Sequence, residues 1–293
     1  MPDLRDRSSA LRLIITADDF GLTEEVNEAV EQAHRSGILT GASLMMTGAA
    51  VNDAVTRARR NPSLRVGLHV VTVDSGTVLP RDTVREIVDA RGRLSGDLFA
   101  AGIRYFFRPA ARRALRAEVL AQFEAFRATG LVLDHVDTHH HMVLHPTVLG
   151  IILEIAPRFD VRAIRLPSEP WRASRGSPLV RRLAAAIRRI GLTPWIALVR
   201  LRLNRAGIRH NSEVRGLADT GSMDEATVLR LLDTVDRDDT EMFFHPASAS
   251  SAPGSASCLA ARQRAELDAL CSPRVRAAMQ RIGMVRVGYG DLR

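Results

Sequence analysis

The chain has 293 residues, 46% hydrophobic and only 4% aromatic, with a net charge of +8 carried mostly by arginine. There is enough apolar material for a sizeable core, too little aromatic surface for a stacking platform on single-stranded nucleic acid, and no run near the roughly 18 apolar residues of a membrane span. Cys258 and Cys271 form no framework or metal-type spacing and fit a reducing compartment.

Short apolar runs alternate with helical patterns along the chain. The opening "MPDLRDRSSA" lacks the apolar region of a signal peptide, so a cytoplasmic protein is expected. "LRLIITA" (11–17) reads as a buried strand, followed by the turn "DDFGLT". Residues from 24 carry apolar positions at 26, 29, 30 and 33, with Thr23 as N-cap and Gly37 as stop. A strand at 42–46, a helix at 49–60 and a strand at 64–71 follow. An irregular stretch (72–108) leads into a helix at 110–128, a strand at 131–137, a helix at 146–157 and a strand at 161–166. Residues 171–210 interrupt the cycle with a basic, apolar insertion. A helix at 223–236, the strand "TEMFFHP" (240–246), a Ser/Ala/Pro/Gly loop (247–257), helices over 259–282 and the strand "GMVRVGY" complete the chain. Seven or eight strand–helix units in one domain over 1–293 predict a parallel α/β sheet, with a TIM-like (β/α) barrel first and a doubly wound open sheet second.

In such folds chemistry gathers where strands end. Asp18 and Asp19 end the first strand and His69 ends the third. Asp137 and His139 to His141 end the fourth long strand, and His245 ends the one after the insertion. If alternation holds, His135, Asp137 and His139 share one face. One Asp with two His is a common divalent-metal set that leaves coordination positions open for water and substrate. A spare carboxylate is then a general base, and a histidine on another strand end an acid. Each cluster alone has a plain structural reading: Asp18 as a turn cap, His69 as a packed side chain, the His triplet as a solvated loop. Their arrival at one sheet edge favours a site. His34 and His210 read as surface residues, and Glu24 and Glu25 as first-turn partners of a helix dipole.

"TADDFGLTEEVNEAV", "GASLMMTGAAVNDAV", "VGLHV", "DTHHHMVLHP" and "FFHPA" together resemble the YdjC-like carbohydrate deacetylases over nearly the whole chain, most of all their hopanoid-biosynthesis-associated (HpnK) branch. The resemblance implies a distorted barrel and hydrolysis of an N-acetyl group from an amino sugar. It implies Asp19, His69 and His139 as ligands of one divalent metal ion. By analogy with the more distant NodB-type deacetylases it implies Asp18 as base, His245 as acid and Arg165, beside Pro167, as the residue orienting the base. Asp137, His140 and His141 become neighbours that orient a ligand or face substrate. Val143 stands where family members commonly carry a histidine, which leaves secondary histidine roles open. Mixed Asp/His ligation favours zinc, while the family is often described with magnesium.

The HpnK resemblance implies an N-acetylglucosaminyl hopanoid, a glycolipid, as substrate. In 171–210, Leu179, Leu183, Ile187 and Ile190 fall at helical spacing, with Arg181, Arg182, Arg188 and Arg189 largely away from them. Pro194 breaks the pattern and Trp195 follows. A basic face, an apolar face and a nearby Trp predict a helix that lies on an anionic membrane surface, or else a hairpin packed on the barrel with solvated arginines. The expected protein is therefore a peripheral enzyme at the inner face of the cytoplasmic membrane, with no nucleic-acid partner. A soluble chitooligosaccharide is the alternative substrate. A phosphoester hydrolase is disfavoured by the absence of a Gly-rich phosphate loop, and a basic binding module with a decayed site by the full set of acids and histidines.

Overall fold

The protein is described by a computed structural model, which covers residues 10–170, 179–248 and 258–292, the side chains of 179–191 excepted. Its strands are β1 (Arg12–Phe20), β2 (Gly41–Leu44), β3 (Arg65–Val70), β4 (Val136–Thr138), β5 (Glu213–Arg215), β6 (Thr240–Phe244) and β7 (Val285–Val287). All pair in parallel, in the order β4-β3-β2-β1-β6-β5, with β7 against the start of β1. The described helices are α1 (Glu24–Ser36), α2 (Val51–Arg60), α3 (Arg81–Val84), α4 (Leu98–Phe107), α5 (Pro109–Ala128), α6 (Pro146–Ile155), α7 (Leu179–Arg205), α8 (Glu225–Leu232), α9 (Cys258–Cys271) and α10 (Pro273–Ile282).

The curled sheet is bridged by a segment too irregular to count as a strand. Val136 donates to the Ala163 carbonyl, Ile164 to that of Arg209, and Val214 to that of Ser168. Residues 163–168 thus join β4 to β5 and its approach, giving a distorted TIM-like barrel. The expected strands at 131–137 and 161–166 shrink to Val136–Thr138 and to isolated bridges at Ala163 and Ile164. β5 was not anticipated, because "EVR" is too short and polar to register as a strand.

α1 shows how local signals place an element. The Thr23 hydroxyl caps the Val26 N–H at 3.3 Å, Glu24 and Glu25 occupy the first turn, and Val26, Ala29, Val30 and Ala33 are buried. Burying each valine is worth about 1.5–3 kcal/mol. Other local readings change. α7 runs through Pro194 instead of stopping there, although proline removes one helical hydrogen bond. His34 is half-buried, bonded to the Leu39 carbonyl and to Ser63, and His210 to the Asn211 carbonyl and Asn204. Residues 249–257 of the expected loop lie outside the described residues.

The barrel interior is layered. Ile14, Ala163, Tyr289 and Leu292 form a small apolar plug at the floor. Above it lie Thr16, Arg165 and Glu241, all buried. His135 stacks on Tyr289 with ring centroids 4.5 Å apart and bonds Ser43 and Asp134. His135, Asp137 and His139 do follow one strand alternation, but at three depths, so His135 belongs to the floor. Gly67 makes room for it: a β-carbon there would lie 2.5 Å from the His135 ring. Gly67→Ala should therefore destabilise the fold by about 1–3 kcal/mol through overpacking. Chemical denaturation measures this, and an unchanged midpoint would refute the packing account.

Candidate functional site

Strand alternation points Thr16 and Asp18 into the barrel and would send Asp19 out. The β1–β2 register shifts between Ala17 and Phe20, and Asp19 takes a left-handed φ of 61°. This irregularity turns adjacent carboxylates toward one space. A left-handed non-glycine residue costs about 1–2 kcal/mol, least for Asp or Asn. The turn is held by Asn27, which accepts the Gly21 N–H at 2.7 Å and donates to the Ala50 carbonyl and to Asp53. Gly21 has a φ of 94°, and its carbonyl leaves no room for a β-carbon on Gly48.

Asp18 is clamped. Arg165, 1% exposed, donates from Nη1 to Asp18 Oδ2 at 2.7 Å and from Nη2 to Oδ1 at 2.8 Å. The same guanidinium donates to Glu241 at 2.8–3.0 Å and to Thr16 Oγ1 at 2.8 Å. Its Nη1 also lies 2.5 Å from Asp137 Oδ2, an ion pair without hydrogen-bond alignment. Burial alone would raise the Asp18 pKa, but Arg165, helped by His69 and His245, holds it far below the usual carboxylate range. Glu241 accepts from the Tyr289 hydroxyl at 2.6 Å, which links the clamp to the floor.

Beside the clamp, three side chains converge. Asp19 Oδ1 is buried and accepts no hydrogen bond. It stands 3.5 Å from His69 Nε2 and 3.3 Å from His139 Nδ1, and those two nitrogens are 3.3 Å apart. Ligands about 2.0–2.1 Å from a tetrahedral centre lie about 3.3–3.4 Å from one another, so this donor set fits a divalent cation. The far side of His69 is held too: its Nδ1 donates to Asp137 Oδ1 at 2.9 Å, the usual carboxylate support of a metal-binding imidazole. Burial works against a charged His69, but Asp137, Asp18 and Asp19 outweigh it and raise its pKa to about 9. For Asp19, burial is outweighed by His139, His245 and His69, which lower its pKa to about 2.

His245 Nε2 faces the clamp, 4.0 Å from Asp18 Oδ2, while its backbone N–H donates to Glu266 at 2.6 Å. His140 and His141 both adopt left-handed φ, 52° and 55°. His140 reaches Asp74 at 3.3 Å on the exposed side. His141 turns inward onto Phe243, its Nδ1 buried without a partner, and burial with nearby Arg165 lowers its pKa to about 3. Thus Asp18, Asp19, His69, Asp137, His139, His141, Arg165 and His245 surround one space, with His140 at its rim.

The insertion reads differently. The side chains of Arg181, Arg182, Arg188 and Arg189 lie outside the described residues. Trp195, expected to face a bilayer, is half-buried against the core and donates its indole N–H to the Leu144 carbonyl at 2.7 Å. That carbonyl belongs to the turn after His139, so the ring is used to anchor α7. Thr16, Asn27, Asp74, Glu241 and Tyr289 were missed. Glu241 had a signal: an acid in an apolar strand, on the same face as Phe243 and His245.

A parallel barrel with a candidate metal centre at its strand ends defines the class. The family model of the YdjC-like proteins matches residues 12–281, and the chain belongs to that family. It is 36% identical to a carbohydrate deacetylase of Oceanobacillus iheyensis over 52% of its length, and 36% identical to one of Brevibacillus brevis over 54%. Those matches span 63% and 60% of the two relatives. A crystal structure from Enterococcus faecalis V583 superposes with a TM-score of 0.75 at 24% identity, covering 96% of this chain and 98% of that one, and shows the shared fold.

Arg165→Leu should leave Asp18, Asp137 and Glu241 buried without their common cation. The expected loss is about 3–5 kcal/mol. Urea unfolding tests this, and a loss below about 1 kcal/mol would show that the clamp does not organise the barrel.

Proposed function

We propose that the chain is a metal-dependent N-deacetylase that hydrolyses the acetamide of an N-acetylglucosaminyl lipid, specifically a glycosylated hopanoid. One observation carries the chemistry: the irregular end of β1 assigns adjacent aspartates to different partners, Asp19 to two imidazoles and Asp18 to a guanidinium. Asp19, His69 and His139 would hold the cation. When bound, it would polarise the acetamide carbonyl and make water easier to deprotonate. Zinc suits this donor set best on softness, with magnesium second.

The residues of the chain divide the proton work. Arg165 keeps Asp18 ionised and fixes both its oxygens, which orients the carboxylate toward the proton of an attacking water while lowering its basicity. His245, at the end of the neighbouring strand β6, gives a proton to the departing amine. Asp137 holds His69 in one tautomer. The C–N bond breaks, and acetate and a free amino sugar leave. The carbohydrate class draws support from the naming of both bacterial relatives. The lipid aglycone draws support from the HpnK resemblance and from the arginine-rich 171–210 stretch, which contains no acidic residue after Glu169 until Glu213. These features support a reading in which the enzyme works at the inner face of the cytoplasmic membrane, on an anionic leaflet. Among the described residues no helix is long and apolar enough to cross a membrane. A soluble chitooligosaccharide is the second reading, favoured by the relatives' naming.

Exhaustive chelation should abolish acetate release, and added divalent metal should restore it. Asp18→Asn should slow turnover by about 10²–10⁴-fold while elemental analysis still finds bound metal. His245→Ala should behave likewise. Full activity after chelation would defeat the metal-dependent reading. Metal lost in Asp18→Asn but kept in Asp19→Asn would reverse the two roles. Equal turnover of lipid-linked and soluble substrates would reject the lipid assignment.

A further inference from the structure

α4 is built inside out. Helices on a barrel normally bury their apolar stripe. Here Ala101 and Tyr105 face inward, while Phe99, Ile103, Phe106 and Phe107 face solvent at 79%, 46%, 46% and 71% exposure. Positions 99, 103, 106 and 107 make one continuous stripe, and the Phe106 and Phe107 rings meet edge-on with centroids 4.9 Å apart. Leu98, at the N-terminus, is exposed as well, on the side of Ala101 and Tyr105. Contiguous exposed apolar surface of this kind marks an interaction site.

Its rim is basic. Residues 98–117 contain Arg104, Arg108, Arg112, Arg113 and Arg116 and no acid. Arg116 is paired with Glu154, and Arg112 donates to the Phe106 carbonyl. Arg104, Arg108 and Arg113 form no ion pair among the described residues. Their charge is therefore available to an external anion.

α4 is also tied to the mouth of the candidate site. The Tyr105 hydroxyl donates to the Thr72 carbonyl at 2.6 Å, just beyond His69. His145 Nε2 bonds the Gly102 carbonyl at 3.0 Å, at the end of the turn that starts with His139. Beside Arg104 opens a cavity of about 420 Å³, lined also by Asp89, Arg93, Ser95 and Asp74, the residue that meets His140.

We propose that α4 is a membrane-docking element, with its phenylalanine stripe in the acyl–headgroup boundary and its arginines on anionic headgroups. An exposed aromatic face with a cationic rim is the pattern of an interfacial helix. A second copy of the chain is the poorer occupant, because two-fold pairing would bring like-charged rims together. Docking by α4 would hold the rim of the metal-binding space against the bilayer. The inference rests on the lipid-substrate reading for its purpose, and its test is independent of that reading.

The test is sedimentation of the full chain with phosphatidylcholine vesicles, with and without phosphatidylglycerol. Phe99→Ser with Phe107→Ser should lower partitioning onto anionic vesicles by roughly 10- to 100-fold. Arg108→Glu with Arg113→Glu should remove the preference for phosphatidylglycerol and the salt dependence. All four positions are exposed, so thermal midpoints should not move. Failure of the parent chain to bind, or equal binding by the phenylalanine variant, overturns the proposal. So does binding lost only when Arg181, Arg182, Arg188 and Arg189 become Glu, or a dimer that the phenylalanine variant dissociates. Acetate release from a soluble chitooligosaccharide should be unchanged in the α4 variants. Absence of acetate release from both a soluble chitooligosaccharide and a lipid-linked N-acetylglucosaminide in every protein, with vesicle binding intact, would defeat the deacetylase reading and leave docking standing.

Discussion

One buried guanidinium organises this molecule. Arg165 sits inside the barrel among Asp18, Asp137, Glu241 and Thr16, and its contacts reach three strands of the ring. Asp18 and Thr16 come from β1, Asp137 from β4, Glu241 from β6. Three carboxylates packed this closely would repel one another and resist ionisation in a low-dielectric interior. The shared cation offsets that repulsion, with a planar fork suited to two-pronged pairing. Arg165 itself lies on the irregular segment that bridges the sheet, so the group that stabilises the charges also pins the least regular part of the barrel.

From this clamp the candidate site follows in two directions. Upward, Asp137 accepts the Nδ1–H of His69, and His69 shares a space with Asp19 and His139. Downward, Glu241 takes the Tyr289 hydroxyl, and Tyr289 stacks on His135 at the floor. The polar middle layer is thus tied to both ends, with Asp137 Oδ2 held by the charge of Arg165 and not by an aligned hydrogen bond. Four of the six described non-glycine residues with left-handed φ stand above it: Asp19, Asp74, His140 and His141. Left-handed backbone at non-glycine residues persists only where the surroundings enforce it. Here they cluster where cation, base and substrate would meet.

The outer elements at this end share one character. α4 presents phenylalanines and arginines, while α7 anchors Trp195 on the turn after His139 and exposes Leu198 and Leu201. The exposed faces of these two helices are therefore apolar and cationic, while the candidate site is rich in carboxylates. Such a division suits a ligand with a polar headgroup and an apolar body, in keeping with the proposed glycolipid.

Much of this was legible in the residues alone. Alternating strand and helix periods, with Thr23 as a cap and Gly37 as a stop, are local signals set by backbone hydrogen bonding and side-chain pattern. They survive because nothing distant opposes them. The placement of Asp18, Asp19, His69, His139 and His245 at one edge also follows from sequence, since parallel strands must all end on the same side. What the sequence could not decide was long-range or irregular. The inward turn of Asp19 needs the register shift against β2. The retreat of His135 to the floor needs Gly67 and Tyr289 as neighbours. Trp195 turned inward because Leu144 offered its nitrogen a carbonyl, and the stripe on α4 stayed outside because Ala101 and Tyr105 pack better against the barrel. Each depends on which surfaces meet across the fold, and only the closed tertiary structure brings them together.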